Sequence, residues 1–191
     1  MRKFRSGMLC LWIACTLVLT ACVNPDDGNL TKAVMNASWI YNYASVQELT
    51  ENSDLIACIC VKGMESYEDG GIVKTKYQAE VTQCIYGEEQ KTVEIVMTGG
   101  VMGKTLYEVA DDPLMDSNDT FIIFARKNTN GTYTILSGPQ GRFVLENDAV
   151  YSLNEANSEV ERANPYSNIR VKNVQKDAFI RQVMSYLEEN Q

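Results

Sequence analysis

The stretch VKTKYQAEVT, residues 73–82, decides the fold of this chain. Val, Thr, Tyr, Ala and Val at its odd-numbered positions alternate with Lys, Lys, Gln, Glu and Thr at its even-numbered positions. Because successive side chains of a β-strand point to opposite faces, this alternation predicts a strand with one buried and one solvated face. Such a face must pack against other strands or a helix, so the stretch indicates a sheet-based domain.

The segments on both sides predict further strands. LIACICVKG (55–63) is apolar from Leu55 to Val61, and residues 93–97 continue the alternation with Val93, Ile95 and Met97. FIIFA (121–125) is typical of a central strand. Asn130-Gly131 is a strong hairpin-turn signal, and TYTIL (132–136) after it is the expected partner strand.

Helices are predicted at the two ends of this β-rich region. Ser45 and Glu48 have the spacing of a capping box, which predicts a short helix over 45–52. A further hairpin is predicted over 142–153, with its turn at Asn147-Asp148. A closing helix follows, whose single apolar stripe consists of Phe179, Ile180, Val183, Met184 and Leu187.

Five or more strands without regular strand–helix alternation favour a mainly β (α+β) fold. We predict a small, partly closed OB-like five-stranded barrel with an extra hairpin, a short N-terminal helix and a C-terminal amphipathic helix. The expected organisation is a signal peptide over 1–21, a flexible tether over 22–38, the barrel over 39–155, and a linker with the closing helix over 156–191.

The amino terminus carries an export signal. A basic start precedes twelve apolar residues (8–19), and Leu19-Thr20-Ala21-Cys22 resembles the lipobox of bacterial lipoproteins. A membrane-spanning helix needs roughly 17–25 residues, so a retained transmembrane anchor is the weaker alternative. The resemblance implies cleavage after Ala21, a lipid on Cys22, and a protein tethered on the outer face of a bacterial membrane.

The charge balance restricts the partners. Removing residues 1–21 takes away three of 17 Lys and Arg and none of 25 Asp and Glu, which leaves a net charge of −11. Phosphate backbones and anionic lipid surfaces attract basic proteins. We therefore expect no nucleic acid partner, and membrane attachment through the lipid on Cys22 alone.

The chain has no histidine, which excludes a Ser-His or Cys-His catalytic pair and a histidine-based zinc site. Cys58, Cys60 and Cys84 have neither CxxC spacing nor a zinc pattern. Free buried thiols are the preferred interpretation, with a disulfide from Cys84 to Cys58 or Cys60 as the alternative. No cofactor is predicted.

The glycine-rich segment TGGVMGKT (98–105) ends like a phosphate-binding P-loop. Thr98 stands where the first glycine is required, and Gly99 leaves only three intervening residues. The following residues reach Pro113 without a clear helix. We therefore expect no nucleotide site, and interpret Gly99, Gly100 and Gly103 as a sharp bend where a strand leaves the barrel.

An acidic segment before FIIFA offers weak calcium ligands. Carboxylate and amide oxygens suit calcium, but the spacing matches no EF-hand loop. Asp and Asn also form turns, and a solvated turn is the preferred interpretation. The calcium candidates are Asp112, Asp116, Asn118 and Asp119, with Asp111 beside them.

Three aromatic residues of SWIYNY form the strongest candidate for a binding surface. Trp39, Tyr41 and Tyr43 are spaced by two, so an extended segment would place their rings on one face, able to stack on sugars or on an apolar partner. The alternative is that they pack onto the barrel. Arg142, in the segment GPQGRF (138–143), is expected only to satisfy a nearby carboxylate.

The order of segments between residues 45 and 155 resembles a group of small lipoproteins of Gram-positive bacteria. The quoted segments are SVQELTENSDLIACICVKG, TKYQAEVTQCIYGE, TVEIVMTGG, DTFIIFARK and GPQGRF. The order is also distantly similar to the netrin-like OB-type barrel of the tissue inhibitors of metalloproteinases. That similarity implies the fold and not the inhibition, because those inhibitors use a free amino-terminal cysteine and a disulfide framework.

Two functions are compatible with these features. The first is a non-enzymatic surface module that binds a protein or glycan of the bacterial envelope, with Trp39, Tyr41 and Tyr43 as candidate ligand contacts. The second is a metal-assisted or carboxylate hydrolase of envelope material, which depends on the acidic segment alone. We predict the first and assign no catalytic residue.

Overall fold

A computed structural model of the chain describes residues 30–163 and 168–189. The predicted signal peptide and Cys22 lie outside the described residues. The strands are β1 Thr31–Met35, β2 Leu55–Asp69, β3 Ile72–Tyr86, β4 Thr92–Thr98, β5 Gly100–Met102, β6 Thr105–Val109, β7 Thr120–Lys127, β8 Tyr133–Ile135, β9 Arg142–Glu146, β10 Ala149–Ser152 and β11 Val174–Gln175. The helices are α1 Val46–Glu51, α2 Leu153–Ala156, α3 Ser158–Ala163, α4 Lys176–Glu189 and a 3₁₀ helix, Gly138–Gly141.

Five strands form a closed barrel in the order β7-β2-β3-β4-β8, which β8 completes by pairing with β7. All neighbours are antiparallel except β4 and β8, which pair in parallel at Ile95 and Tyr133. Three register shifts along β2 and β3 allow these 15-residue strands to bend around the barrel. The prediction of a mainly β fold with a small OB-like barrel is confirmed.

The alternation in β3 gives one buried and one more exposed face over residues 73–80, as the pattern predicted. Tyr77 and Ala79 point into the barrel, where they pack with residues such as Ile95 and Ile123. The opposite face of β2 and β7 packs under α1 and α4, where Phe124 meets Phe179 with ring centroids 6.4 Å apart. The closing helix therefore covers the sheet as expected, although Met184 of its stripe is 47% exposed.

The turn and cap signals were also correct. The Ser45 hydroxyl accepts a hydrogen bond from the Glu48 N–H (3.1 Å), and the Glu48 carboxylate accepts one from the Ala44 N–H (2.7 Å). Both predicted hairpins form, β7–β8 at Asn130-Gly131 and β9–β10 at Asn147-Asp148.

The predicted tether is wrong for part of its length. Residues 31–35 form β1, which pairs in parallel with β6 in a separate three-stranded sheet ordered β1-β6-β5. The segment lacks a periodic pattern because its order comes from a strand more than 70 residues away in the sequence. The linker predicted after residue 155 likewise contains α3, and β11 pairs with β10. Within the described residues, no helix is long and apolar enough to cross a membrane.

Candidate functional site: a cleft beside a buried ion pair

A buried arginine closes one end of the barrel. Arg142 begins β9 and pairs with Ile123 of β7, so its side chain lies on the barrel side of the sheet. It is 1% exposed, and its Nη2 donates to the Asp112 Oδ1 (2.8 Å) and to the Pro113 carbonyl (2.7 Å). Its guanidinium lies 5.2 Å from the centre of the Phe121 ring, in cation–π geometry.

Only some of the N–H donors of Arg142 have hydrogen-bond acceptors. Arg142 Nε has no hydrogen-bond partner among the described residues, and Nη1 contacts only the Met97 sulfur at 4.0 Å. Burial raises the pKa of Asp112 to about 6, which outweighs the lowering by Arg142, and the Asp111 charge adds to the increase. A buried ion pair with unfilled donors contributes little net stability, but leaving either charge alone is costly.

The loop that carries Asp112 is fixed to the barrel interior through Tyr77. The Tyr77 hydroxyl accepts a hydrogen bond from the Met115 N–H at 3.2 Å, and both residues are buried. Burial raises the pKa of Tyr77 to about 12, so this hydroxyl stays neutral. The loop is therefore held by a neutral hydrogen bond on one side and by an ion pair on the other.

Residues 39–43 lie across this end of the barrel as a strap. The Trp39 indole N–H donates to the Asp111 carboxylate at 3.1 Å. Gln140 of the 3₁₀ helix accepts from the Tyr43 N–H and donates to the Tyr43 carbonyl, both at 3.0 Å. The Ser137 hydroxyl donates to the Tyr41 carbonyl at 2.5 Å. The strap thus joins the 3₁₀ helix to the acidic loop.

Gly138 is required where the strap crosses the 3₁₀ helix. Its φ is +49°, and a Cβ there would lie 2.4 Å from the Trp39 ring and 2.7 Å from the Asp112 carboxylate. The preceding Ser137 also has a positive φ, +46°. Ser137, unlike Gly138, carries a Cβ, and a non-glycine residue with positive φ is uncommon.

The predicted three-ring platform does not form. Tyr43 is 3% exposed, Trp39 is half-buried, and only Tyr41 remains exposed, at 60%. The rings of Tyr41 and Tyr43 lie 6.4 Å apart. Trp39 and Tyr43 therefore pack onto the domain, which was the alternative to a binding platform. The ligand-binding role predicted for the aromatic residues stays a prediction for Tyr41.

A cleft of about 970 Å³ lies between the barrel end, the three-stranded sheet and α2–α3. Its walls combine apolar side chains with charged ones of both signs, so it offers an amphipathic surface. The apolar part includes Val34, Leu114, Phe121, Val144, Leu153 and Val160; the charged part includes Lys32, Glu108, Asp116, Asp119, Glu146 and Arg162. Arg142 also lines the cleft, which connects the cleft to the buried ion pair.

The calcium prediction is not supported by the geometry. Asp112 is turned inward to Arg142, whereas Asp116 and Asp119 form a local turn in which the Asp116 N–H donates to Asp119 Oδ2 at 2.8 Å. Asn118 completes the turn with φ +72°. Across residues 30–163 and 168–189, no group of three or more acidic or cysteine side chains could hold a metal ion. The preferred interpretation as a solvated turn describes Asp116, Asn118 and Asp119, whereas Asp112 is buried and paired with Arg142.

The glycines follow the preferred interpretation, and the cysteines follow it in part. Cys58, Cys60 and Cys84 are free thiols, but of the three only Cys58 is buried. Burial raises the pKa of Cys58 and Cys84. The glycine-rich segment connects β4, β5 and β6 rather than opening a helix, and its three glycines have positive φ values. The structural context of a P-loop is therefore missing from this segment.

Sequence reasoning named Arg142 and its need for a carboxylate, and that hypothesis is confirmed. It did not identify Asp112 as the partner, because 30 residues separate the two and neither lies in a motif. It also missed the cleft, whose walls come from five separate parts of the chain. In comparisons with known proteins, no family model and no curated protein matches the chain.

Proposed function

We propose that this chain is a lipid-anchored extracytoplasmic protein of the bacterial envelope that binds a ligand in the cleft at the end of its barrel. The proposed location is supported by the lipobox-like sequence Leu19-Thr20-Ala21-Cys22, which follows a basic and apolar leader. Lipid on Cys22 would hold the domain at the outer face of a membrane.

The cleft is the observation that carries the binding role. Ligand sites are typically concave, of roughly 300–1,000 Å³, and combine an apolar lining with a few polar groups. This cleft has that size, and its lining is more polar than is typical, with charged side chains of both signs beside the apolar ones. Its floor is rigid, because Phe121 and Arg142 belong to paired strands of the barrel sheet. A preformed, rigid cleft binds with a smaller entropic cost than a mobile surface.

The amphipathic lining favours an extended, amphipathic envelope ligand such as a peptide segment or a glycan with apolar substituents. Apolar groups would contact Phe121 and Val144 at the floor, and polar groups would reach the charged rim. The exposed Tyr41 remains a candidate for an additional stacking contact.

The alternative hydrolase depended on the acidic segment. The Asp112 carboxylate in that segment is occupied by Arg142, and Asp116 and Asp119 are linked by a turn hydrogen bond. No observation in the structure favours the hydrolase, so binding is the function that the geometry supports best.

The test measures what the soluble protein captures from solubilised envelope of the producing cell. Because β1 belongs to the fold, the fragment should begin at Val23, with all of β1 retained. Ala156→Trp adds a large ring at an exposed helical position that lines the cleft. Met184→Trp is the matched control, since Met184 is an exposed position on α4 away from the cleft.

We expect wild type and Met184→Trp to enrich the same saturable protein or glycan, measured by quantitative mass spectrometry. Ala156→Trp should reduce this enrichment by at least about tenfold, which corresponds to about 1.4 kcal/mol. Equal capture by all three proteins, with unchanged circular dichroism, would remove the cleft as the ligand site.

A further inference from the structure

The floor of the cleft holds a hydrogen-bond donor that lacks an acceptor. Arg142 lines the cleft and is 1% exposed, and its Nε has no hydrogen-bond partner among the described residues. The guanidinium lies against the Phe121 ring and donates to the Pro113 carbonyl, and both of these residues also line the cleft. A buried donor without an acceptor is costly, so an oxygen atom of a bound ligand would stabilise this site.

The charges around the cleft restrict the kind of oxygen that can bind there. The charge of Arg142 is already compensated by Asp112 at 2.8 Å, and Lys32 at the rim is paired with Glu108 at 2.6 Å. Beyond these two pairs the lining carries more negative than positive side chains, namely Asp116, Asp119 and Glu146 against Arg162. This excess of negative charge repels an anionic ligand, so a neutral carbonyl suits Arg142 better than a carboxylate or a phosphate.

Two of the excess carboxylates lie at the same end of one strand pair. Phe121 of β7 is paired with Val144 of the antiparallel β9. Asp119 lies two residues before Phe121, and Glu146 lies two residues after Val144. No lysine or arginine within residues 30–163 and 168–189 forms an ion pair with Asp119 or Glu146. Like charges on neighbouring strands are destabilising, and a cationic group of a ligand would relieve their repulsion.

We propose that the cleft binds an extended, basic peptide segment. This inference rests on the proposed function of the cleft as a ligand site. A backbone carbonyl of the peptide accepts the hydrogen bond that Arg142 Nε offers, and apolar side chains of the peptide contact Phe121 and Val144. A Lys or Arg side chain of the peptide lies between Asp119 and Glu146 at the rim.

The edge of the three-stranded sheet favours a peptide over a glycan. β1 is an outer strand of this sheet, and its Val34 lines the cleft. The Thr31 N–H donates to the Lys104 carbonyl and the Met35 carbonyl accepts from the Ala110 N–H, both on the β6 side. Because successive residues of a strand direct their backbone groups to opposite sides, the N–H and C=O of Val34 point away from β6. A peptide backbone can pair with such an edge as a further strand, and a sugar ring cannot.

The experiment presents the full chain, in nonionic detergent, with a pool of acetylated and amidated nonapeptides. Apolar positions alternate with positions at which Lys, Glu and Gln are equally frequent. Asp119→Asn/Glu146→Gln removes the two carboxylates, and an amide oxygen at position 119 still accepts from the Asp116 N–H. Glu188→Gln/Glu189→Gln is the matched control, because it changes the net charge equally at two exposed positions of α4 outside the cleft lining.

Wild type and the α4 control should enrich Lys over Glu in the captured peptides at least about fourfold, and Asp119→Asn/Glu146→Gln should bring this ratio close to one. The enrichment should also decrease at about 0.5 M salt, because exposed charges are screened. Equal Lys and Glu contents in the peptides captured by wild type would overturn the inference, as would the same enrichment by all three proteins.

A second measurement reports on the contact with Arg142. In the nuclear magnetic resonance spectrum of ¹⁵N-labelled wild type, the Arg142 Nε–H signal is assigned by its absence from Asp112→Leu/Arg142→Met. Bound Lys peptide should slow the exchange of this proton with water at least about tenfold. An unchanged exchange rate with peptide bound would contradict the carbonyl contact.

The capture from solubilised envelope separates this inference from the proposed function. An envelope ligand that Ala156→Trp fails to capture, and that survives digestion by proteinase before capture, would be a glycan. That outcome would overturn the peptide and leave the cleft as the ligand site. Equal capture by wild type and Ala156→Trp would overturn both proposals.

Discussion

The interior of the barrel and the Arg142–Asp112 pair at its end, called the mouth below, are both buried, but different forces hold them. The interior is filled by apolar side chains such as Ile95 and Ile123, whose contribution follows the area removed from water and needs no particular partner. The mouth depends on Arg142, Asp112 and Trp39, each of which needs one specific polar group. Replacements of similar size should therefore be tolerated in the interior and not at the mouth.

Removing the Asp112 carboxylate should have the largest effect. Asp112→Ala leaves the Arg142 guanidinium buried without its counter-ion, and the free energy of unfolding should fall by about 3–5 kcal/mol. Urea unfolding at pH 7 measures the change. The double variant Asp112→Leu/Arg142→Met should recover most of the loss, because an apolar pair replaces the ion pair. A single variant within about 1 kcal/mol of wild type would contradict the importance of the pair.

The stability that the barrel interior contributes should depend on the volume of its buried side chains. Ile95→Ala removes a fully buried side chain and should lower the free energy of unfolding by about 2–5 kcal/mol, whereas Ile95→Leu should lower it by less than about 1.5 kcal/mol. Arg142→Lys keeps the charge at the mouth but loses the planar fork that reaches Asp112 and Pro113. In urea unfolding, Arg142→Lys should lower the free energy of unfolding more than Ile95→Leu does. The reverse order would show that the mouth tolerates replacements of similar size as well as the interior does.

The mouth should also respond to pH in a way that the interior does not. The pKa of Asp112 is raised by burial to about 6, so between about pH 4 and 6 the folded protein binds a proton that the unfolded chain has released. The stabilisation that comes from keeping a proton on folded Asp112 is therefore largest below about pH 4 and is lost as the pH rises through 6, by an amount on the order of 3 kcal/mol.

Urea unfolding of wild type and Asp112→Asn across this range isolates the effect, because the amide does not titrate. The stability of wild type relative to Asp112→Asn should decrease with rising pH. A flat or increasing difference would show that Arg142 outweighs the burial of the carboxyl.

The smallest effect is expected at Gly138. Gly138→Ala introduces a left-handed alanine, at about 1–2 kcal/mol, and also displaces the Trp39 ring. Gly131→Ala is the matched control, since Gly131 has φ +86° and open space around its Cα. Both variants should be destabilised, Gly138→Ala more so, and only Gly138→Ala should change the tryptophan emission spectrum of the soluble fragment. Identical stabilities and spectra would mean that the strap does not depend on this contact.

The barrel was predictable because its signals are local. The alternation over 73–82, the apolar runs around it and the Asn130-Gly131 turn each report on neighbouring residues, and together they predicted the strands of the ring. The cap at Ser45 was predictable for the same reason, since its partner is three residues away.

The small sheet and the cleft were not predictable in this way. Residues 31–35 carry no strand pattern, and they are ordered by pairing with 105–109. The rings of Trp39 and Tyr43 have the spacing of a surface platform, yet the strap is pulled inward by hydrogen bonds to Asp111 and Gln140. No local pattern records those partners, because they lie 72 and 97 residues further along the chain.

The sequence by itself determined the barrel, its hairpins and its closing helix, since period-two and helical patterns specify which faces are buried. The leader and Cys22 also predict attachment to a membrane. Only the tertiary structure decided which carboxylate pairs with Arg142, how the strap covers that pair, and where the cleft opens. These features depend on how segments that are remote in the sequence meet in space. Neither the composition of the chain nor the spacing of residues within a segment specifies that.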